Sequence, residues 1–182
     1  MISGTHPWLA QQRVHYGTPA AGLIRQEIER AGARRVFVTT TRSLTGSDYL
    51  AGCIAALGDA FAGQFDAIPA HSPREAVIEG AARIRAAGAD LVLAVGGGSV
   101  IDATKVMLQC VWFGIDRPEG LDAIVGGKHA GGADPSAWEA DPQSLRMIAV
   151  PTTLSAAACN HVAGGTHMQR KVKQPYTQPL AV

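Results

Sequence analysis

The sequence lacks any long unbroken apolar run. Its most apolar stretch, residues 91–115, is interrupted by Gly96, Gly97, Gly98, Asp102 and Lys105, which argues against a membrane-spanning helix. An excess of charge of either sign is missing too. Sixteen Lys and Arg stand against 15 Asp and Glu, a net charge of +1, and the cations are scattered. That balance gives no basis for nucleic-acid or acidic-membrane binding. Cysteine is scarce: Cys53, Cys110 and Cys159 are odd in number and widely spaced. They read as reduced thiols in a cytoplasmic protein rather than as a disulfide framework. Residues 1–8 carry neither a charged leader nor an apolar core, so no secretory signal is expected. What is present is 182 residues, 47% hydrophobic and 17% charged, enough for one ample globular domain.

The apolar pattern alternates between strand and helix. Val14 and Tyr16 before Gly17 suggest a first short strand. Pro19 then opens a helix over residues 20–31, with Leu23, Ile24, Ile28 and Ala31 on one face and Gly32 as its stop. Strands are expected over 36–40, 64–68, 91–95 and 147–150, and helices from Ser47-Asp48 to about 60 and from Ser72-Pro73 to about 87. This rhythm predicts an α/β domain, a parallel Rossmann-like sheet with helices on both faces. Residues 116–144, rich in Gly, Pro, Asp and Ala, form an unusually long link, expected to be functional or mobile.

The most informative run is Gly96-Gly97-Gly98-Ser99, between the strand at 91–95 and an amphipathic helix built on Val100, Ile101, Thr104, Met107, Leu108, Val111 and Trp112. A glycine turn leading into a helix presents bare N–H groups and a positive helix end, which suits a phosphate. Ser99-x-x-Asp102 also resembles a capping box, and capping alone would account for those two residues. It does not call for three glycines. The fingerprint G-x-G-x-x-G fails because Ile101 stands where a small residue is needed. Gly126-Gly127-Lys128 fails as a phosphate loop, with Asp122 at the first glycine position and His129 in place of Ser or Thr. Cys159, His161 and His167 lack the spacing of a zinc site. No G-x-S-x-G elbow surrounds Ser99 or Ser155. His71, at the end of the third strand, borders the same sheet edge as the glycines, although a loop histidine is ordinarily just solvated.

Gly96-Gly-Gly-Ser-Val-Ile-Asp-Ala-Thr-Lys105, followed some 45 residues later by Val150-Pro-Thr-Thr153, resembles the iron-containing (group III) alcohol dehydrogenase superfamily. That group takes in glycerol dehydrogenase, maleylacetate reductase and dehydroquinate synthase. The resemblance runs from Tyr16-Gly17 to Pro179 and implies the N-terminal, Rossmann-like half of a two-domain enzyme. By similarity, Gly97, Gly98 and Ser99 correspond to a pyrophosphate cradle, and Asp102 to an acidic residue near the nicotinamide. Thr152, Thr153 and Leu154 correspond to adenosine-side contacts. His71 matches a position lining the cofactor cleft, and Lys173 a lysine at the cofactor edge.

Three departures accompany the resemblance. Thr41, followed by Arg42, stands where many relatives carry an Asp that holds the adenosine ribose, which leans towards tolerance of NADP beside NAD as cofactor. Leu154-Ser-Ala-Ala-Ala158-Cys159 lacks the acidic residue that often follows this motif. The family's ligands for catalytic Fe²⁺ or Zn²⁺, an Asp and usually three His, are expected beyond Val182. The resemblance therefore implies the NAD(P)-binding portion of a metal-dependent dehydrogenase, inactive alone. It would act on a small alcohol or carbonyl substrate, associate as a homo-oligomer and stay in the cytoplasm. Maleylacetate reductase is the nearest rival within the fold, and dehydroquinate synthase fits less well. A non-catalytic nucleotide-binding module is the alternative from another class.

Overall fold

The computed structural model describes residues 12–126 and 145–177. Four parallel strands form one sheet in the order β2-β1-β3-β4, with β1 at Val36–Thr39, β2 at Phe61–Phe65, β3 at Leu91–Gly96 and β4 at Arg146–Pro151. β1 and β3 are buried along their whole length, as a sheet covered on both faces requires. Side chains alternate across it. Val36, Val38, Leu91, Leu93 and Val95 join Ile24, Ile28, Leu50 and Cys53 from α1 (Ala20–Ala31) and α2 (Asp48–Ala55) on one face. Phe37, Val92 and Ala94 face the other way. There they pack with Val77, Ala81 and Ile84 of α3 (Arg74–Ala86) and with Val100, Ala103, Val106 and Met107 of α4 (Gly98–Trp112).

From β1 the chain crosses by α2 outward to the edge strand β2, then returns by α3 to β3 on the other side of β1. The order reverses between β1 and β3, the place where sheets of this kind open a crevice at their carboxyl ends.

Several expectations need correction. Residues 14–16 form no strand. Val14 and Tyr16 are exposed and pair with no described strand, while the neighbouring His15 Nε2 lies 2.9 Å from Glu27 Oε1. The third expected strand sits three residues early, at Phe61–Phe65. The helix before it stops at Ala55 and is followed by a short 3-10 turn at Gly58–Ala60. The link after α4 is partly built: a 3-10 turn at Pro118–Ala123 buries Leu121, and Ile124 beside it is buried as well. Residues 127–144, with the Gly127-Lys128-His129 run, lie outside the described residues, as do residues 1–8. Among the described residues no helix is long and apolar enough to cross a membrane.

An antiparallel hairpin, β5 (Val162–His167) with β6 (Val172–Thr177), completes the fold. It buries Ala163 and Tyr176 against the α3–α4 side. Buried Arg74 fastens it, donating to Tyr176 Oη at 2.9 Å, the Pro118 carbonyl at 3.1 Å and Asp122 Oδ1 at 2.6 Å.

Candidate functional site

All four strand ends open into one cleft of about 770 Å³, lined by Thr41, Arg42, Asp66, Gly97, Ser99 and Thr153 among others. Each lining group follows the carboxyl end of its strand, so the parallel topology itself gathers them. α4 points its first turn into this space. Its N-cap is Gly97, and no side chain caps it. The Ser99 hydroxyl is turned elsewhere and accepts from the His71 backbone N–H at 3.2 Å. Asp102 accepts from the Gly164 backbone N–H and lies 3.9 Å from Lys173 Nζ. The capping box therefore does not form. In the first turn the Val100 N–H bonds back to the Gly97 carbonyl at 3.0 Å, while Gly98 and Ser99, whose N–H groups have no carbonyl one turn back, line the cleft.

The glycines serve close packing. A Cβ on Gly98 would come within 2.6 Å of Ser155 Oγ, and one on Gly97 within 3.1 Å of Thr153. A Cβ on Gly96 would press on Val100 at 2.5 Å. Bare backbone lets the segment after β4 lie directly on the turn, and the two together form the cleft wall. The Thr152 N–H closes the join by donating to the Gly96 carbonyl at 3.0 Å.

The structure brings Thr41, Gly97, Gly98, Ser99, Thr152 and Thr153 into this cleft. Asp102 and Lys173 line an adjoining one of about 520 Å³, with Ser155, Asn160 and Gly164. Ser99 and Asp102 are three residues apart on α4 and share a face, so the two spaces follow one another along the helix. Leu154 is fully exposed and lines neither. His71 lies outside both linings, on the rim. Its backbone, at φ 66°, is held by its own N–H to Ser99 and by Thr166 Oγ1 donating to its carbonyl at 2.6 Å.

Charge in the second space is set by burial. Desolvation pushes the Asp102 carboxyl above the usual carboxylate range, while the Gly164 N–H, Lys173 and Lys105 pull it back. Lys105 is wholly buried and lowered to about 8 by desolvation, against the pull of Asp102 and Cys159. Its ammonium donates to the carbonyls of Ala157, at 2.6 Å, and Asn160. Lys105 thereby ties α4 to the segment after β4.

The sequence reading missed Asp66. With the third strand set at 64–68, Asp66 fell inside it; with β2 ending at Phe65 it stands at the mouth of the cleft, 3.0 Å from the Thr45 hydroxyl. The end of the cleft that appeared to lack a carboxylate has one. Cys159, His161 and His167 form no metal-binding group, and among the described residues no three His, Cys, Asp or Glu side chains gather at one point.

The family model for iron-containing alcohol dehydrogenases matches residues 11–182. Dehydrogenase FUM7 of Gibberella moniliformis is 30% identical over 162 residues, which cover 88% of this chain and 38% of that protein. Maleylacetate reductase 2 of Cupriavidus pinatubonensis is 38% identical over 95 residues, 52% of this chain and 26% of its own. Among solved structures, maleylacetate reductase from a Rhizobium species superposes with a TM-score of 0.69 at 25% identity, covering 100% of this chain and 40% of that one. Sulfoacetaldehyde reductase from Bifidobacterium kashiwanohense, in complex with NAD⁺, gives a TM-score of 0.73 at 23% identity over 89% of this chain and 40% of its own. That second likeness speaks for the fold alone. The chain thus spans about two-fifths or less of these relatives. The family match takes in every strand of the sheet and the cleft along its edge, so this chain belongs to the iron-containing alcohol dehydrogenase family.

Proposed function

We propose that this chain is the NAD(P)-binding part of an alcohol dehydrogenase or carbonyl reductase, with residues 1–182 acting as one α/β unit. The observation that carries the reading is the first turn of α4, which no side chain caps and whose Gly98 and Ser99 line a cleft at the topological switch point of a parallel sheet. Such a helix end attracts a diphosphate through its N–H groups and its partial positive charge. Gly97, Gly98 and Ser99 hold that diphosphate. Thr41, Thr152 and Thr153 border its adenosine side, with Leu154 and His71 at the rim. Asp102 and Lys173 border the nicotinamide side, one turn further along α4.

A bound nicotinamide supplies hydride chemistry, and the protein supplies orientation and charge. Asp102, kept close to Lys173 and the Gly164 N–H, sets the polarity at that end. The family's name implies iron, and Fe²⁺ or Zn²⁺ would act as a Lewis acid on the substrate oxygen. The described side chains do not fit such an ion, so no step is assigned through it.

The test is calorimetric titration of the chain with NAD⁺, NADP⁺ and ADP-ribose. Saturable binding of ADP-ribose, competed by inorganic diphosphate, is expected. Failure of all three to bind at millimolar concentration would overturn the reading. Maleylacetate reduction is a second reading, favoured by the 38% identity over 95 residues with Maleylacetate reductase 2. Assaying a full-length homologue with maleylacetate and with simple aldehydes separates the two.

A further inference from the structure

We propose that Asp66 selects NAD over NADP by accepting a hydrogen bond from the ribose 2′-hydroxyl and repelling a 2′-phosphate. The proposal rests on reading the cleft as a dinucleotide site. Asp66 is the first residue past the carboxyl end of β2 and lines the cleft with Thr41 and Arg42. A bridge between Thr41 and Ala67 holds the two strand ends together. Asp66 Oδ2 accepts from the Thr45 hydroxyl at 3.0 Å, and the same hydroxyl lies 3.3 Å from the Thr41 carbonyl. One hydroxyl thus separates the carboxylate from the position where the sequence offered only Thr41.

The other groups at this end are poorly suited to a second phosphate. The Thr41 and Ser43 hydroxyls pair with each other at 2.7 Å. Arg42 is exposed, and it is the one cation lining the cleft among the described residues. A phosphate monoester carries between one and two negative charges near neutrality. With the Asp66 carboxylate beside it, Arg42 alone leaves that charge largely uncompensated. A 2′-hydroxyl, by contrast, donates to the carboxylate in a charge-assisted hydrogen bond.

The experiment is titration of the chain with NAD⁺ and NADP⁺, comparing the natural sequence with Asp66→Asn, Asp66→Ser and Thr45→Val. The natural chain is expected to bind NAD⁺ about tenfold more tightly than NADP⁺, by a short-range charge repulsion screened by added salt. Asp66→Asn and Asp66→Ser should tighten NADP⁺ about tenfold and weaken NAD⁺ about threefold, the second losing only a charge-assisted bond. Thr45→Val, which unpins the carboxylate, should narrow the preference without reversing it. Equal affinity of the natural chain for both dinucleotides, or an unchanged ratio in both Asp66 variants, overturns the role of Asp66 and leaves the dinucleotide site standing. Binding of neither dinucleotide, nor of ADP-ribose, overturns both.

Discussion

Replacing Gly98 with alanine adds one methyl group where the glycine turn meets the segment after β4. The new Cβ would lie 2.6 Å from Ser155 Oγ, 3.2 Å from Ser155 Cβ and 3.9 Å from Ala157 Cβ. The first two distances are inside van der Waals contact, so Ser155 must move or rotate. Its hydroxyl accepts from the Ala157 N–H at 3.1 Å, and losing such a cap costs about 1 kcal/mol. Overpacking adds about 1–3 kcal/mol. The gain from replacing glycine in a helix, at most about 1 kcal/mol, offsets part of this. The net expectation is a destabilisation of about 2 kcal/mol, with weaker NAD⁺ binding because residues 152–155 are displaced from the cleft. In a Ser155→Gly background the two clashing atoms are gone and the Ala157 Cβ at 3.9 Å is an ordinary contact, so Gly98→Ala should become neutral or slightly stabilising and recover most of its affinity relative to Ser155→Gly alone. Urea unfolding of the four proteins closes the cycle, with an expected coupling of about 2 kcal/mol. A coupling below about 0.5 kcal/mol would refute the argument, since the two sites would then be independent.

Lys105 gives a pH signature. Its folded value, about 8, lies below its free value of 10.5. Between those values the unfolded chain binds the extra proton, so stability rises with pH across that window. The rise is at most about 3 kcal/mol. Lys105→Met should abolish the slope and lower stability at neutral pH by about 2 kcal/mol, because the Ala157 and Asn160 carbonyls lose their donor. Urea melts near neutrality and again near pH 10.5, the two ends of that window, check both. Arg74→Met should cost about 3 kcal/mol by leaving buried Tyr176 Oη without its partner, whereas Tyr176→Phe should cost about 1 kcal/mol. Asp122→Ala should cost under about 1 kcal/mol because that carboxylate is half exposed. Equal losses from Arg74→Met and Asp122→Ala in thermal melts would count against a buried clamp.

What was legible in the sequence is what local pattern can encode. The helix at Ala20–Ala31 has its proline start and glycine stop written into it, and the interior strands β1 and β3 are continuous β-branched and apolar runs. β2 was misplaced because it is an edge strand that exposes Phe61 and Gln64, and Gly63 takes a φ of 133° against the Phe37 ring. The apolar signal of Phe65 and Ile68 belongs partly to the buried loop after it. That error hid Asp66. The hairpin was invisible for a related reason. The Tyr176 ring leaves no room for a Cβ on Gly165, and the end of the Lys173 side chain lies over Gly164, both reaching in from diagonal positions on β6, a demand set by the partner strand. The triple glycine was legible as a turn into a helix, yet the crowding that a side chain would meet at two of its members comes from Thr153 and Ser155, more than fifty residues away.

The left-handed pair His71-Ser72 sits between the helix end and the hairpin. Ser72 Oγ donates to the Ser99 carbonyl at 2.8 Å, and the Thr166 N–H donates to the Ser72 carbonyl at 3.0 Å. An anion that steadies the front of α4 therefore also steadies a ribbon on the far side of that turn. Amide exchange at Thr166 would slow on loading, giving a spectroscopic report of occupancy from a residue that never meets the ligand.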